Sequence, residues 1–206
     1  MSLAQPIVLY RYRLSGHCHR VELLLSMLGL RYETREVDLP AGEQRQPSFQ
    51  ALNPFGQVPV IDDEGTVVSD SNAILVYLAL RYGDAGWLPR DPVGAARVQR
   101  WLSLAAGPLA FGAARARAVR VFRRGTDPTE AIATAQALFT RMDGLLEGQA
   151  FLVGDTPTIA DLAMYSYTAH APEGDISLEP WPRLRAWLAR VQALPGFIAM
   201  PPSQLG

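Results

Sequence analysis

The chain has 206 residues, 49% of them hydrophobic, and a formal net charge of −1. So much apolar residue excludes a disordered chain, and the near-neutral balance leaves no basic footprint for nucleic acid. A single cysteine excludes an internal disulfide framework, no apolar run suffices to span a bilayer, and the first residues lack a signal-peptide pattern, so a soluble cytoplasmic protein is expected.

The first part alternates strands and helices. Pro6 to Tyr10 reads as a strand. His19 to Leu28 reads as a helix, with Val21, Leu24, Leu25 and Leu28 on one face and Gly29 as its stop. Tyr32 to Leu39 reads as a second strand, which completes a βαβ unit with a parallel pair. Pro40 to Gly56 is polar and irregular. Val58 to Ile61 and Thr66 to Val68 then flank the turn Asp62-Asp63-Glu64-Gly65, a hairpin pattern. Ser69-Asp70-Ser71 is cap chemistry for a helix to about Tyr82, closed by Gly83.

After Gly83 the pattern becomes wholly helical. The expected helices are Val93 to about Phe122, Pro128 to about Leu146, Thr158 to about Ala169, and Pro182 to about Ala193. Gly107-Pro108 should kink the first of them. The expected organisation is an α/β domain of order βαβ-ββα over 1–83, a linker over 84–92, and an all-helical domain over 93–206.

Three short blocks carry chemistry. In Ser15-Gly16-His17-Cys18-His19 a strand feeds a helix, so free N–H groups and the positive end of the helix dipole point at the turn. Thiolates and other anions are stabilised there, and Ser15 is placed to donate a hydrogen bond to one. Cys18, in the first helical turn, reads as core filler. His17 and His19 do not make a metal site, because no second cluster of ligands follows.

In Asn53-Pro54-Phe55-Gly56-Gln57-Val58-Pro59-Val60, a cis Val58-Pro59 bond would leave the Val58 N–H and C=O facing outward, free to pair with a peptide-like ligand. In Asp70-Ser71-Asn72, backbone N–H groups and the Ser71 hydroxyl could clamp a carboxylate, with Asp70 beside it to pair with an amine. An amine and a carboxylate on one carbon are what an amino acid presents.

The order of elements, the serine after the first strand, "NPFGQVP", "SDSNAILVYL" and the capping-box block "TPTIADLAMYSY" together resemble a cytosolic glutathione S-transferase. The likeness covers the whole chain and points to the bacterial, serine-type, distantly zeta- or theta-like members. It implies a thioredoxin-like glutathione-binding domain followed by the helical one. Ser15 would bond the glutathione sulfur. Val58, with Pro59 cis, would pair with the cysteinyl unit. Asp70 and Ser71 would hold the γ-glutamyl end, and Gln57 and Gln44 would reach the glycyl end. The electrophile pocket would be lined by Leu14, His17, Trp101, Phe111 and Arg115. Asp161 would pair with Thr158 in a buried cap and take no part in chemistry.

The implied activity is conjugation of glutathione, as co-substrate, to small electrophiles by a homodimer that needs no metal. Glutathione-dependent reduction of disulfides or peroxides, zeta-type isomerisation, and a non-enzymatic glutathione- or partner-binding module are the alternatives. The zeta-type start carries a Ser-Ser-Cys motif, where this chain has Ser15-Gly16-His17.

Overall fold

A computed structural model of the chain describes residues 5–203 apart from Thr126. Four strands, β1 Ile7–Arg11, β2 Tyr32–Glu36, β3 Val60–Asp63 and β4 Thr66–Ser69, form one sheet in the order β2-β1-β3-β4. β1 and β2 are parallel, and the other pairs are antiparallel. Side chains alternate across the sheet, as the strand period requires. Ile7, Leu9 and Ile61 enter the main core, whereas Val60 joins Val37 and Phe49 on the opposite face. Helices α1 Gly16–Met27 and α3 Ser71–Arg81 cover the first face, and the single turn α2 Pro47–Gln50 brings Phe49 to the second. Glu64 and Gly65 both take positive φ, 51° and 88°, in the tight turn of the β3–β4 hairpin.

The helical part begins at α4 Pro92–Leu104 and continues through a π-helical stretch, Ala105–Ala114, into α5 Arg115–Phe122. The expected kink at Gly107-Pro108 is therefore a widened helix. Proline lacks the N–H that a regular turn would use, and the longer hydrogen-bond spacing accommodates the gap. α6 Thr129–Leu145, α7 Ile159–Ala169 and α8 Pro182–Gln192 follow. Every residue of α7 from Ile159 to Thr168 is buried. This central helix packs on α1 and α3 as well as on α4 and α8, so it joins the α/β part to the helical part.

Two boundaries shift with clear causes. α1 starts at Gly16, a turn earlier than the apolar periodicity predicts, because Ser15 is its N-cap. β3 starts at Val60, not Val58, because Pro59 has no N–H to give the ladder.

Candidate active site

The sheet register gathers the three sequence blocks. Tyr10 stands opposite Val60, and Val60 opposite Ser69. The loop after β1, the residues before β3 and the residues after β4 therefore leave the sheet at one edge. Ser15, Val58-Pro59 and Asp70-Ser71 are the side chains and backbone found there.

Ser15 is half-buried and in extended conformation, with its Oγ accepting from the Cys18 N–H at 3.4 Å. That is a long bond for a cap, so the hydroxyl is not consumed by its own helix. Cys18 is 1% exposed, and its Sγ accepts from the Tyr12 N–H at 3.4 Å. Burial pushes the Cys18 thiol up to about 12, against the smaller pull of those bonds. It is a neutral core group at physiological pH.

The Val58-Pro59 bond is cis. The preceding loop is braced by buried Asn53, whose Nδ2 donates to the Gln57 carbonyl at 2.8 Å and whose Oδ1 accepts from the Phe55 N–H at 3.1 Å. The Gln44 backbone packs against Gly56, and the Gln44 Oε1 is buried without a protein partner. Gln44 and Gln57 are thus neighbours across one loop. Asp70 caps α3, its Oδ1 accepting from Asn72 and Ala73 at 2.9 and 3.0 Å. Its φ of 73° is rare for a side-chain-bearing residue and carries a strain of about 1–3 kcal/mol. The buried Ser71 hydroxyl lies 3.4 Å from His17 Nδ1, so the N-termini of α1 and α3 meet through that pair. Burial, then the neighbouring Arg20 cation, hold the His17 imidazole down at about 3, so it is neutral.

The glutathione S-transferase N-terminal domain family matches residues 14–81, and the corresponding C-terminal domain family matches residues 108–195. A glutathione S-transferase 3 of Zea mays is 32% identical, with 93% of this chain and 91% of the relative covered. A maleylacetoacetate isomerase of Rhizobium meliloti is 33% identical, with 95% of each covered. A crystal structure of a glutathione S-transferase from Xanthobacter autotrophicus superposes with a TM-score of 0.88 at 35% identity, over 95% of this chain and 97% of that one. The chain belongs to the glutathione S-transferase family.

In this transferase the loop before Ser15 borders a cleft against α5 and the C-terminal segment. The cleft, of about 270 Å³, is lined by Tyr12, Arg13, Leu14, Val121, Phe122, Pro202 and Ser203. Of the five residues expected to line an electrophile pocket, only Leu14 lines this cleft. Trp101 is instead 1% exposed in the helical core, with Nε1 donating to the Leu152 carbonyl at 3.0 Å. The period of α4 turns that face towards α7, and an indole with its N–H satisfied inside the core has no surface to offer a ligand. Phe111 is 71% exposed on the π-helical stretch, and Arg115 packs towards Gly125 beyond α5. Neither touches the cleft. His17 lies behind it, with its ring edge-on to Tyr167 at 4.9 Å. A larger open groove of about 580 Å³, lined by Pro172, Ile176, Leu178 and Arg185 among others, shares no residue with the site.

Three further groups stand at the site. Tyr167 of α7 presses its ring over Gly16, where an added Cβ would meet ring carbons at 2.9 Å, and its hydroxyl interacts with the Ser15 side chain. Arg117 turns inward from an arginine-rich helix. Its Nη1 donates to the Leu14 carbonyl at 2.8 Å, its Nε to Glu173 Oε2 at 2.7 Å, and its Nη2 to Ser203 Oγ at 2.6 Å. This ties the loop before Ser15 to α5 and the C-terminal segment. Arg20 is the third. Tyr167 and Arg20 lie on helices whose polar faces are covered only once the two parts of the chain pack together, a contact that periodicity within one helix does not show.

Proposed function

We propose that this enzyme binds glutathione along the edge formed by the three loops and adds its thiolate to a small electrophile. The observation that supports this most is the half-used Ser15 cap. It leaves a hydroxyl at the positive end of α1, level with the cis Val58-Pro59 bond and the α3 N-terminus. Val58 would pair with the cysteinyl backbone, Ser71 and the α3 N–H groups would take the γ-glutamyl carboxylate, Asp70 its amine, and Gln57 and Gln44 the glycyl end. A free thiol of ordinary pKa is mostly protonated at neutral pH. Ser15 and the α1 N-terminus favour the charged sulfur, and its proton leaves to water. The sulfur lone pair then forms a C–S bond, while electrons move to the leaving group or onto the activated acceptor. Ser15 donates a hydrogen bond throughout and is not itself a nucleophile. Leu14 and Phe122 offer apolar walls to the acceptor.

The isomerase relatives favour a second reading, zeta-type cis–trans isomerisation on the same thiolate. Tyr167 speaks against it, since the second serine of the zeta-type motif in place of Gly16 would force the Tyr167 ring to shift. The domain division at 84–92, a homodimer and a cytoplasmic setting belong to the same proposal. Phe55, 80% exposed in the loop before β3, is a side chain a partner copy could cover. Among the described residues no helix is long and apolar enough to cross a membrane.

The test is retention on immobilised glutathione, followed by turnover of an activated aryl halide, a hydroperoxide, a mixed disulfide and a maleyl-bearing acid. Conjugation dominating the panel supports the proposal. Dominant isomerisation or reduction replaces it, and no retention with no turnover leaves a non-enzymatic module.

A further inference from the structure

Among the described residues two arginines are buried almost completely, and they are treated in opposite ways. Arg117, 1% exposed, has the carboxylate of Glu173 at 2.7 Å and an acceptor for each of its three nitrogens. Arg20, 0% exposed on α1, has one nitrogen engaged. Its Nη1 donates to Asn72 Oδ1 at 3.0 Å and to Ser71 Oγ at 3.4 Å. Its Nε and Nη2 meet no acceptor, and the Tyr167 ring centroid lies 5.9 Å from its guanidinium carbon. Among the described residues no carboxylate forms an ion pair with it.

An unpaired charge taken out of water works against folding, and the usual escape is loss of the charge. That escape is closed to a guanidinium: burial draws Arg20 down only to about 10, so it stays cationic at neutral pH. The groups around it compensate only in part, through the attraction of the Asp70 carboxylate at the start of α3. Cys18 and Tyr167 are held neutral by burial, His17 is neutral, and Asp70 is exposed and caps α3. The position of the charge is informative. It touches the first two residues of α3, and it projects from α1 one turn beyond Ser15. Both helix N-termini therefore share it.

We propose that Arg20 is the buried counter-charge for bound glutathione, fixing Ser71 and Asn72 for the γ-glutamyl carboxylate and favouring the thiolate at Ser15. It is a positioning residue, since it acts through Ser71, Asn72 and its field. This rests on the reading of the site as a glutathione site. It follows that Arg20 weakens the empty protein and strengthens the complex.

The experiment uses the full chain and the variants Arg20→Met and Arg20→Lys. Glutathione affinity is read by calorimetry, bound thiolate by ultraviolet absorbance against pH, and stability by thermal unfolding without glutathione. Arg20→Met should bind glutathione about tenfold more weakly and raise the bound thiol pKa by about one unit. It should unfold no earlier than wild type. Arg20→Lys, which keeps the charge, should recover most of the thiol pKa. An Arg20→Met protein that fails to fold, or that binds glutathione with wild-type affinity and thiol pKa, overturns the role. Wild type that does not bind glutathione overturns the proposed function itself, and wild-type binding matched by Arg20→Met overturns only the part given to Arg20.

Discussion

Helices α1 and α7 both begin on a hydroxyl cap, and the residue three places on decides what each start is for. In α7 that residue is Asp161. Its Oδ2 takes the Thr158 N–H at 2.8 Å, and its Oδ1 takes the Leu152 N–H and the Trp187 indole N–H, each at 2.9 Å. The Ala160 N–H donates to Thr158 Oγ1 at 3.2 Å, which completes a capping box in the core. In α1 the corresponding residue is Cys18, which has no carboxylate to reach back, and Ser15 accepts one long bond from its own helix while its hydroxyl also meets Tyr167. A terminus whose groups are all satisfied by the chain holds the fold. One left half-satisfied at a cleft has donors to spare for a ligand.

The largest effect should come from breaking the closed start. Asp161→Ala leaves three buried N–H groups without an acceptor, each worth about 1–3 kcal/mol, so a loss of about 3–9 kcal/mol is expected. Denaturant titration measures it. The fraction that still folds should keep its KM for glutathione. A shifted KM would mean that the two starts are coupled.

Breaking the open start should do the reverse. Ser15→Ala should lower kcat/KM by about 2–4 kcal/mol, the scale for removing one donor to a developing anion. Its stability should fall by less than about 1 kcal/mol, because the bond to Cys18 is already weak. Equal losses in stability and activity would show that Ser15 is a structural cap like Thr158.

Acid sharpens the comparison. His19 behind the α1 start is 2% exposed, with Nε2 donating to the Ile198 carbonyl and Nδ1 accepting from Ser166 Oγ, each at 2.9 Å. Burial holds it down at about 4, and His17 at about 3. The unfolded chain protonates both below about 6.5, while the folded chain resists until pH 4 and 3. Stability is therefore full above that pH and falls as the solution is acidified. Glu173 acts in the same direction at lower pH. Burial would raise it, but bonds from His170, Ser203 and Arg117 prevail and hold it at about 2, so its contribution fades from 4.5 downward. His19→Asn should remove about 3 kcal/mol of the pH dependence between neutrality and pH 4, seen as a flatter melting profile. A profile as steep as wild type would place the acid sensitivity elsewhere.

What the sequence made legible follows from how local each cause is. The hairpin turn, the Asp70 start of α3 and the Thr158–Asp161 pair are written within a few residues, and the structure has them all. The sheet edge that unites Ser15, Pro59 and Asp70 needs only strand order, so it too was within reach. The cleft wall was not. Whether Trp101 or Phe122 faces it depends on how α4 and α5 rotate against α7, a matter of packing between helices far apart in the chain. The same holds for Arg20 and Arg117, whose burial depends on the other half of the molecule covering them.

The smallest effect belongs to the group that most invites a catalytic reading. Cys18 sits three residues from Ser15, at the spacing of a redox pair with its first cysteine replaced. Its thiol is buried and pushed up to about 12, however, and its sulfur faces the Tyr12 amide, not the cleft. A thiol so protonated is a poor nucleophile, and one so covered is out of an acceptor's reach. Cys18→Ala should leave the conjugation rate and the bound thiol pKa at wild-type values, with a packing loss of about 1 kcal/mol. Alkylation of Cys18 in the native protein should run no faster than local unfolding permits. If instead Cys18→Ala abolishes turnover and Ser15→Ala spares it, the start of α1 serves the enzyme's own thiol. The contrast with α7 would then be one of redox chemistry, not of ligand binding.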